Sequence, residues 1–360
     1  MTHRAGWRPR VVVCGTGFGR VYLAALRRPG MPFELAGILA RGGARSRACA
    51  EHHGVPLYRD PDELPADVDV ACVVVGAGLN GGRGAELAQR LLARGLHVLQ
   101  EHPLHHDELA ACLREAHRRR VVYHLSTHYV HVEAVRRFLA AARRLVEAQP
   151  PLFVDALGSI VVLNPLLDVL GAALGGVRPW SFPAPPSASG VFRGLDGAIA
   201  GVPTTLRVQN QLHARERDNG AHVLFRVCLG GEGGSLLLAS PHGPVLWSPR
   251  PHLPADYRDA VSIEAAAAAD LDAPSATCLG PADAPPYRRI LAEEWPAATA
   301  RALLDLRSAV LEGEDPRRRG QYHLALCRLT AEIASRLGPP ELLLGGPPAV
   351  LTAAELAGAE

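Results

Sequence analysis

The stretch Val11-Val12-Val13-Cys14-Gly15-Thr16-Gly17-Phe18-Gly19-Arg20 constrains this chain more than any other. An apolar run enters a glycine-rich turn, and a helical pattern follows at Val21-Tyr22-Leu23-Ala24-Ala25-Leu26. Strand, glycine turn and helix in that order make an anion cradle. Glycines let the backbone approach a pyrophosphate, and the helix N-terminus supplies N–H donors and a positive dipole. The spacing is GxGxGR rather than GxGxxG, because Gly19 stands one place earlier than the third glycine of the full fingerprint. Its setting between a strand and a helix still predicts a nucleotide site at Gly15, Thr16, Gly17, Phe18 and Gly19.

Residues 10–125 continue as alternating strands and helices. Strands are expected at Val11–Cys14, Phe33–Leu39, Val55–Tyr58, Val70–Val75, His97–Gln100 and Val121–Leu125. Helices are expected between them, at about Phe18–Arg28, Ala44–His53, Gly84–Arg94 and Asp107–Arg118. Continuous β-branched runs between helices indicate strands covered on both faces, hence a mostly parallel sheet. The texture then changes. Phe153–Ala156 reads as a strand, Ile160–Leu174 as an apolar helix, and the Pro-, Ser- and Gly-rich segment Trp180–Gly201 as a long loop or lid. Strands follow between Thr204 and Trp247, and a helical pattern runs from Tyr287 to Leu337 with a break near Gly313–Gly320. The expected fold is α/β: an N-terminal Rossmann-type nucleotide domain (8–126) and a C-terminal α+β domain (127–345) on a largely antiparallel open sheet. The C-terminal helices are candidates to return to the first domain.

Composition narrows the class. With 38 basic and 36 acidic residues the formal charge of the 360-residue chain is +2, and arginine is scattered, so neither nucleic acid nor a membrane surface is called for. No apolar run reaches transmembrane length, and the first strand begins too early for a signal peptide. The seven cysteines lack paired spacing; Cys14, Cys72, Cys112 and Cys327 read as buried thiols of a cytoplasmic protein. The 16 histidines form no HExxH, and there is no CxxC, so no metal is expected.

The second strand ends Leu39-Ala40-Arg41-Gly42-Gly43-Ala44-Arg45-Ser46-Arg47, without the acid that binds the ribose hydroxyls in NAD sites. Arg41, Arg45, Ser46 and Arg47 stand there instead. Arginine matches phosphate bidentately and a hydroxyl adds a donor, so the cofactor expected is NADPH. Asn80, after the fourth strand, either contacts ribose or phosphate or caps the next helix.

Two segments follow the C-terminal ends of neighbouring strands, where the cofactor crevice lies: Gln100-Glu101-His102-Pro103 and Ser126-Thr127-His128-Tyr129. His102 and Tyr129 are the candidate proton donors. His105, His106, His128 and His131 are weaker candidates. Glu101 has three roles open to it: pairing with His102, capping a turn, or contacting the nicotinamide ribose. Asp168, alone on an apolar helix, has either a buried partner or a place in the site. Asn164 before Pro165 reads as a helix N-cap.

These residues carry a resemblance. The first-domain pattern with its Glu-x-Pro segment resembles the glucose–fructose oxidoreductase/inositol dehydrogenase superfamily, whose usual Glu-Lys-Pro is here Glu101-His102-Pro103. The superfamily's second-domain acid-to-histidine motif is also missing around Asp168–Gly175. Gly15–Gly19, Leu39–Arg47, Tyr58, His102-Pro103, Tyr129 and Asn164–Asp168 together resemble the thiazolinyl imine reductases of yersiniabactin- and pyochelin-type siderophore pathways. That resemblance implies NADPH-dependent reduction of the C=N bond of a thiazoline to a thiazolidine. The substrate would be held as a thioester on a peptidyl carrier protein of a nonribosomal peptide synthetase. It also implies His102 and Tyr129 as paired general acids, and a homodimer. The segment Trp180–Gly201 would border an open cleft for the tethered arm, and exposed arginines would meet an acidic carrier domain. Two rival readings are an NADP-dependent sugar or polyol oxidoreductase, which would want an acid at strand two or a lysine at position 102, and a non-catalytic dinucleotide sensor, which would need neither proton donor.

Overall fold

The computed structural model describes residues 6–76, 82–216, 219–252, 261, 272–346 and 348–358. The first sheet has six parallel strands: β1 (Arg10–Cys14), β2 (Glu34–Leu39), β3 (Leu57–Tyr58), β4 (Val70–Val73), β5 (His97–Glu101) and β6 (Tyr123–Ser126). Their spatial order is β3-β2-β1-β4-β5-β6, the doubly wound arrangement whose ligand crevice lies at the strand C-termini where the order reverses, between β1 and β4. Helices α1 (Gly19–Leu26), α2 (Ala44–His53), α3 (Arg83–Ala93) and α4 (His106–Arg119) provide the crossovers. Alternation along β1 serves both faces. Val12 and Cys14 pack with Leu91, Leu92 and Leu109 of α3 and α4, whereas Val11 and Val13 pack with Leu23 and Leu26 of α1.

Beyond β6 come α5 (Glu133–Ala148), β7 (Phe153–Ser159) and α6 (Leu163–Leu174). The second sheet is completed by β8 (Ser187–Ser189), β9 (Phe192–Ile199), β10 (Val202–Gln209), β12 (Phe225–Gly231), β13 (Gly234–Leu238), β14 (Val245–Pro249) and β15 (Thr277–Cys278), while β11 (Gln211–His213) and β16 (Glu341–Leu343) form a small separate ladder. The order is β15-β14-β13-β12-β7-β10-β9-β8, antiparallel except for the central β7–β10 pair. In β10, Val202, Thr204, Leu206 and Val208 are buried and Pro203, Thr205 and Arg207 exposed, the period-two pattern of a sheet with one covered face. Leu166 and Leu170 of α6 and Phe138 of α5 share the core beneath that face.

Two expectations need correction. The segment Trp180–Gly201 is not a loop or lid: half of it is β8 and β9, and β9 turns directly into β10 through Ala200 and Gly201, both at positive φ (53° and 77°). That is the geometry of a tight hairpin whose twist matches the strands. Asn164 is not an N-cap. A 3-10 turn, Ile160–Val162, leads into α6, so Asn164 lies inside the helix, where its buried amide donates to Thr330 Oγ1 at 3.0 Å.

The last two long helices are α7 (Trp295–Glu312) and α8 (Pro316–Leu337), separated at Gly313. Both return to the first sheet. Leu303 and Leu306 of α7 join Val11, Val13 and Leu23, and Cys327 of α8 joins the cluster on the opposite face. Cys14, Cys72, Cys112 and Cys327 are buried thiols, as read from the sequence.

Candidate functional site

The glycine loop leaves β1 at the β1–β4 junction, and each glycine has its own reason. Gly15 sits at φ 93°, and a Cβ there would meet the Val74 carbonyl oxygen at 2.6 Å. Gly17 has nothing within 4 Å of the place a Cβ would occupy, which leaves its backbone open to a ligand. Gly19 packs α1 against β1, a Cβ there standing 3.4 Å from Val13 Cγ1. Tight turn, open approach and close helix packing are the three tasks of a dinucleotide loop, so the shortened spacing still fits a pyrophosphate. Thr16 is buried. Phe18 caps α1, and its ring turns inward onto Tyr22, His128 and Trp295.

At the end of β2 the turn Gly42-Gly43 precedes α2, with Gly42 at φ 80° and Gly43 as N-cap. Ser46 is buried and spends its proton on the Gly43 carbonyl at 2.8 Å; Arg47 donates to the Gly42 carbonyl. These two shape the turn. Arg41 and Arg45 are exposed and make no hydrogen bond or ion pair among the described residues. Sequence reading overlooked Arg59. It follows β3 directly, beside the β2 terminus, and its Nε is 3.1 Å from where a Cβ on Gly42 would stand. Arg59 thus stands against a backbone turn at a helix N-terminus, with Arg41 and Arg45 on either side of that turn in sequence, a residue set suited to a phosphate. Asn80 lies outside the described residues.

Glu101 ends β5 with little solvent contact and pairs with the next residue: its Oε1 is 2.8 Å from His102 Nδ1, and its Oε2 accepts from the buried Tyr22 hydroxyl. Burial, reinforced by the Glu101 carboxylate, pushes the Tyr22 hydroxyl well above its ordinary value, so Tyr22 stays a proton-bearing donor. His102 Nδ1 also faces the Ser126 carbonyl at 3.2 Å. With two acceptors at Nδ1, that nitrogen carries a proton, and Nε2 is left for a partner from outside.

The β6 strand end is tied to this pair, because the His102 amide donates to the Ser126 carbonyl at 3.0 Å. Three residues on, Tyr129 opens a short 3-10 turn and is largely buried. Its ring meets Phe225 of β12 edge to face at 5.3 Å and approaches His242 at 6.4 Å. Tyr129 is therefore the residue through which the first sheet's C-terminal edge enters the core of the second.

His128, a minor candidate from sequence, is the centre of that junction. It takes φ 62° without being glycine, and its ring contacts Phe18, Tyr129 and Trp295. Burial, with the nearby imidazoles of His102, His131 and His242 adding, pushes its imidazole down to about 3. His242 accepts from Trp295 Nε1 at 3.1 Å and is held at about 4 by burial. Both are neutral near neutral pH and unfit as acids. His131 lies 3.8 Å from Asp305, and His105 and His106 start α4.

Asp168 has its buried partners. Thr127, beside His128, donates to one carboxylate oxygen, and Tyr322 of α8 donates to the other at 2.5 Å. The group is a structural tie joining α6, α8 and the β6 loop, two residues from Tyr129.

Comparison with known proteins fits this geometry. Residues 9–127 match the oxidoreductase family with an NAD-binding Rossmann fold. Residues 149–248 match the family described as thiazolinyl imine reductase Irp3-like, C-terminal. The chain carries the C-terminal domain of the thiazolinyl imine reductases over those residues. It is an oxidoreductase with a nicotinamide-nucleotide domain. No curated protein matches the reductase. Among solved structures, GenD2 from gentamicin A biosynthesis, in complex with NAD, is similar at 17% identity and TM-score 0.63, over 91% of this chain and 93% of that one. KijD10, a 3-ketoreductase from Actinomadura kijaniata in complex with TDP-benzene and NADP, is 18% identical in its open conformation, with TM-score 0.62 over 93% and 99%. A putative myo-inositol dehydrogenase from Sinorhizobium meliloti 1021 is 16% identical, with TM-score 0.61 over 91% and 96%. At these identities the likeness concerns the fold. Among the described residues no helix of the reductase is long and apolar enough to cross a membrane.

Proposed function

We propose that the reductase uses NADPH to reduce the C=N bond of a thiazoline held as a thioester on a peptidyl carrier protein, giving the thiazolidine. The observation that carries the reading is the Glu101–His102 pair, which holds Nδ1 and leaves Nε2 available. The bound cofactor supplies a hydride to the imine carbon. The π bond breaks toward nitrogen, and the nitrogen takes a proton. In its imidazolium form His102 delivers that proton from Nε2, while Glu101 at Nδ1 stabilises the charge and fixes the ring, as an acid does for a catalytic histidine elsewhere. Tyr129, from the neighbouring strand end, is the second donor of the pair. A lysine, the residue of alcohol chemistry in the wider superfamily, is not needed for an imine.

NADPH over NADH is supported by the absence of an acid at the end of β2 and by Arg41 and Arg45, which flank the Gly42 turn in sequence, with Arg59 beside it. A homodimer, a cytoplasmic setting and a carrier-protein partner complete the reading. The deciding experiment follows NADPH oxidation with a synthetic hydroxyphenyl-thiazoline thioester, beside NADH and beside H102A and Y129F. Turnover with a product two hydrogens heavier, slowed in either variant, supports the assignment. Tight NADPH binding with no turnover, on the mimic or on carrier-bound thiazoline, overturns it.

A further inference from the structure

A cavity of about 770 Å³ opens at the opposite end of the first sheet, between α4, β6, α7 and the turn joining α7 to α8. His97 begins β5 on its wall and Glu101 ends β5 in the cofactor crevice, a separation of about 13 Å along the strand. The chemistry above uses no part of it. Its size falls within the range of small-molecule sites.

The lining is cationic. Arg119, Arg120, His117, His97 and Arg319 line it from three different elements and the α4–β6 turn; Glu314 is the one acid in the lining, and Glu115 on the same helix pairs with Arg119 Nε at 3.1 Å. Glu314 is already committed: one oxygen faces His124 Nε2 at 3.1 Å and the other accepts from Arg319 Nε at 3.0 Å. Arg120 ends α4 at φ 58°, a left-handed position costly for a side-chain residue; its amide donates to the Ala116 and His117 carbonyls, and its guanidinium has no hydrogen bond or ion pair among the described residues. His97 Nδ1 accepts from the Val122 amide at 2.9 Å, which fixes the ring on the cavity wall. The dipole of α4 accounts for basic residues in its last turn. It does not account for their convergence with Arg319 and His97 on one cavity. Val121 and Val310 give the same cavity an apolar wall.

We infer that this cavity binds a small organic anion. Arg119, Arg120 and Arg319 hold its phosphate or carboxylate groups, and Val121 and Val310 meet its apolar body. The inference does not depend on which imine is reduced.

The test is calorimetric titration of NADPH-saturated enzyme with 5′-AMP and, separately, with citrate; the bound cofactor closes the nucleotide crevice to both. At least one probe is expected to bind. R119A/R120A should weaken it at least tenfold with kcat unchanged, and Val310→Trp, which fills the cavity from α7, should abolish it. Binding of neither probe, or binding that survives both substitutions, overturns the inference. AMP binding alone identifies a phosphate site, and citrate alone a carboxylate site.

Discussion

Phe18 and His128 meet at right angles with ring centroids 5.3 Å apart. One belongs to the glycine loop and the other to the turn that presents Tyr129, so the glycine loop and the proposed proton donor are parts of one packed unit. The histidine is neutral there because burial opposes its charge, and this gives stability a pH dependence. The unfolded chain binds a proton at His128 and at His242 near pH 6.5, whereas the folded chain resists until about 3 and about 4. Their contribution is whole above about pH 6.5 and is lost as pH falls below it. The loss is about 1.4 kcal/mol per pH unit for each group within its window. In chemical denaturation, His128→Asn, which tolerates the positive φ, should make the decline between about pH 6 and 4.5 shallower by one proton.

The two loop glycines should fail differently. Gly15→Ala drives a methyl into the Val74 carbonyl at a positive φ and should lower folding stability measurably. Gly17→Ala meets no protein atom, so apo stability should hold while the dissociation constant for cofactor rises about tenfold or more. Equal effects on both quantities in both variants would refute the division of labour.

His102→Ala should lower kcat by about 10²–10⁴-fold. Glu101→Gln should be milder and more informative. It removes the carboxylate that holds His102 Nδ1, so kcat should fall while KM for the cofactor and folding stability hold. A raised cofactor KM or a lowered unfolding midpoint with kcat unchanged would mean that Glu101 serves only the fold or the cofactor.

Removing Arg41, Arg45 or Arg59 singly should raise KM for NADPH about tenfold each and leave KM for NADH nearly unchanged, as loss of one charge-assisted phosphate contact requires. If Arg59→Ala affects both cofactors equally, Arg59 acts on the turn and not on a phosphate.

Tyr322→Phe removes one of two donors to the buried Asp168 carboxylate. Folding stability should drop by about 1.5–3 kcal/mol, read by denaturant unfolding. An unchanged midpoint would show that water replaces the phenol.

The parts legible in the sequence are those with local causes. Helix Ala44–His53 was bounded correctly because Gly43 precedes it and Gly54, at φ 64°, closes it. The apolar run of β1 and the glycines after it needed no distant information. The misread segment had none to offer locally. Strand β9 contains Gly194 and Gly197 where alternation would want side chains; a Cβ on Gly197 would strike Ser181 and Phe182, which fold back onto it from the start of the same segment. Its turn is Ala200-Gly201 instead of the usual Asn-Gly. Asn164 looked like a cap because of Pro165, yet its partner Thr330 is 166 positions away. Arg59 went unnoticed because only the pairing of β2 with β3 brings it to Gly42. His128 drew little weight among many histidines until its aromatic neighbours were visible.

The return of α7 and α8 sets a limit on modularity. Leu303 and Leu306 roof one face of the first sheet, and Cys327 completes the other. A fragment ending at Ala148 would carry every strand of the nucleotide fold and still lack part of both roofs. The nucleotide half is thus not a cassette: in any chimera between relatives, the final helices have to travel with the first sheet, although most of the second sheet lies between them in the gene.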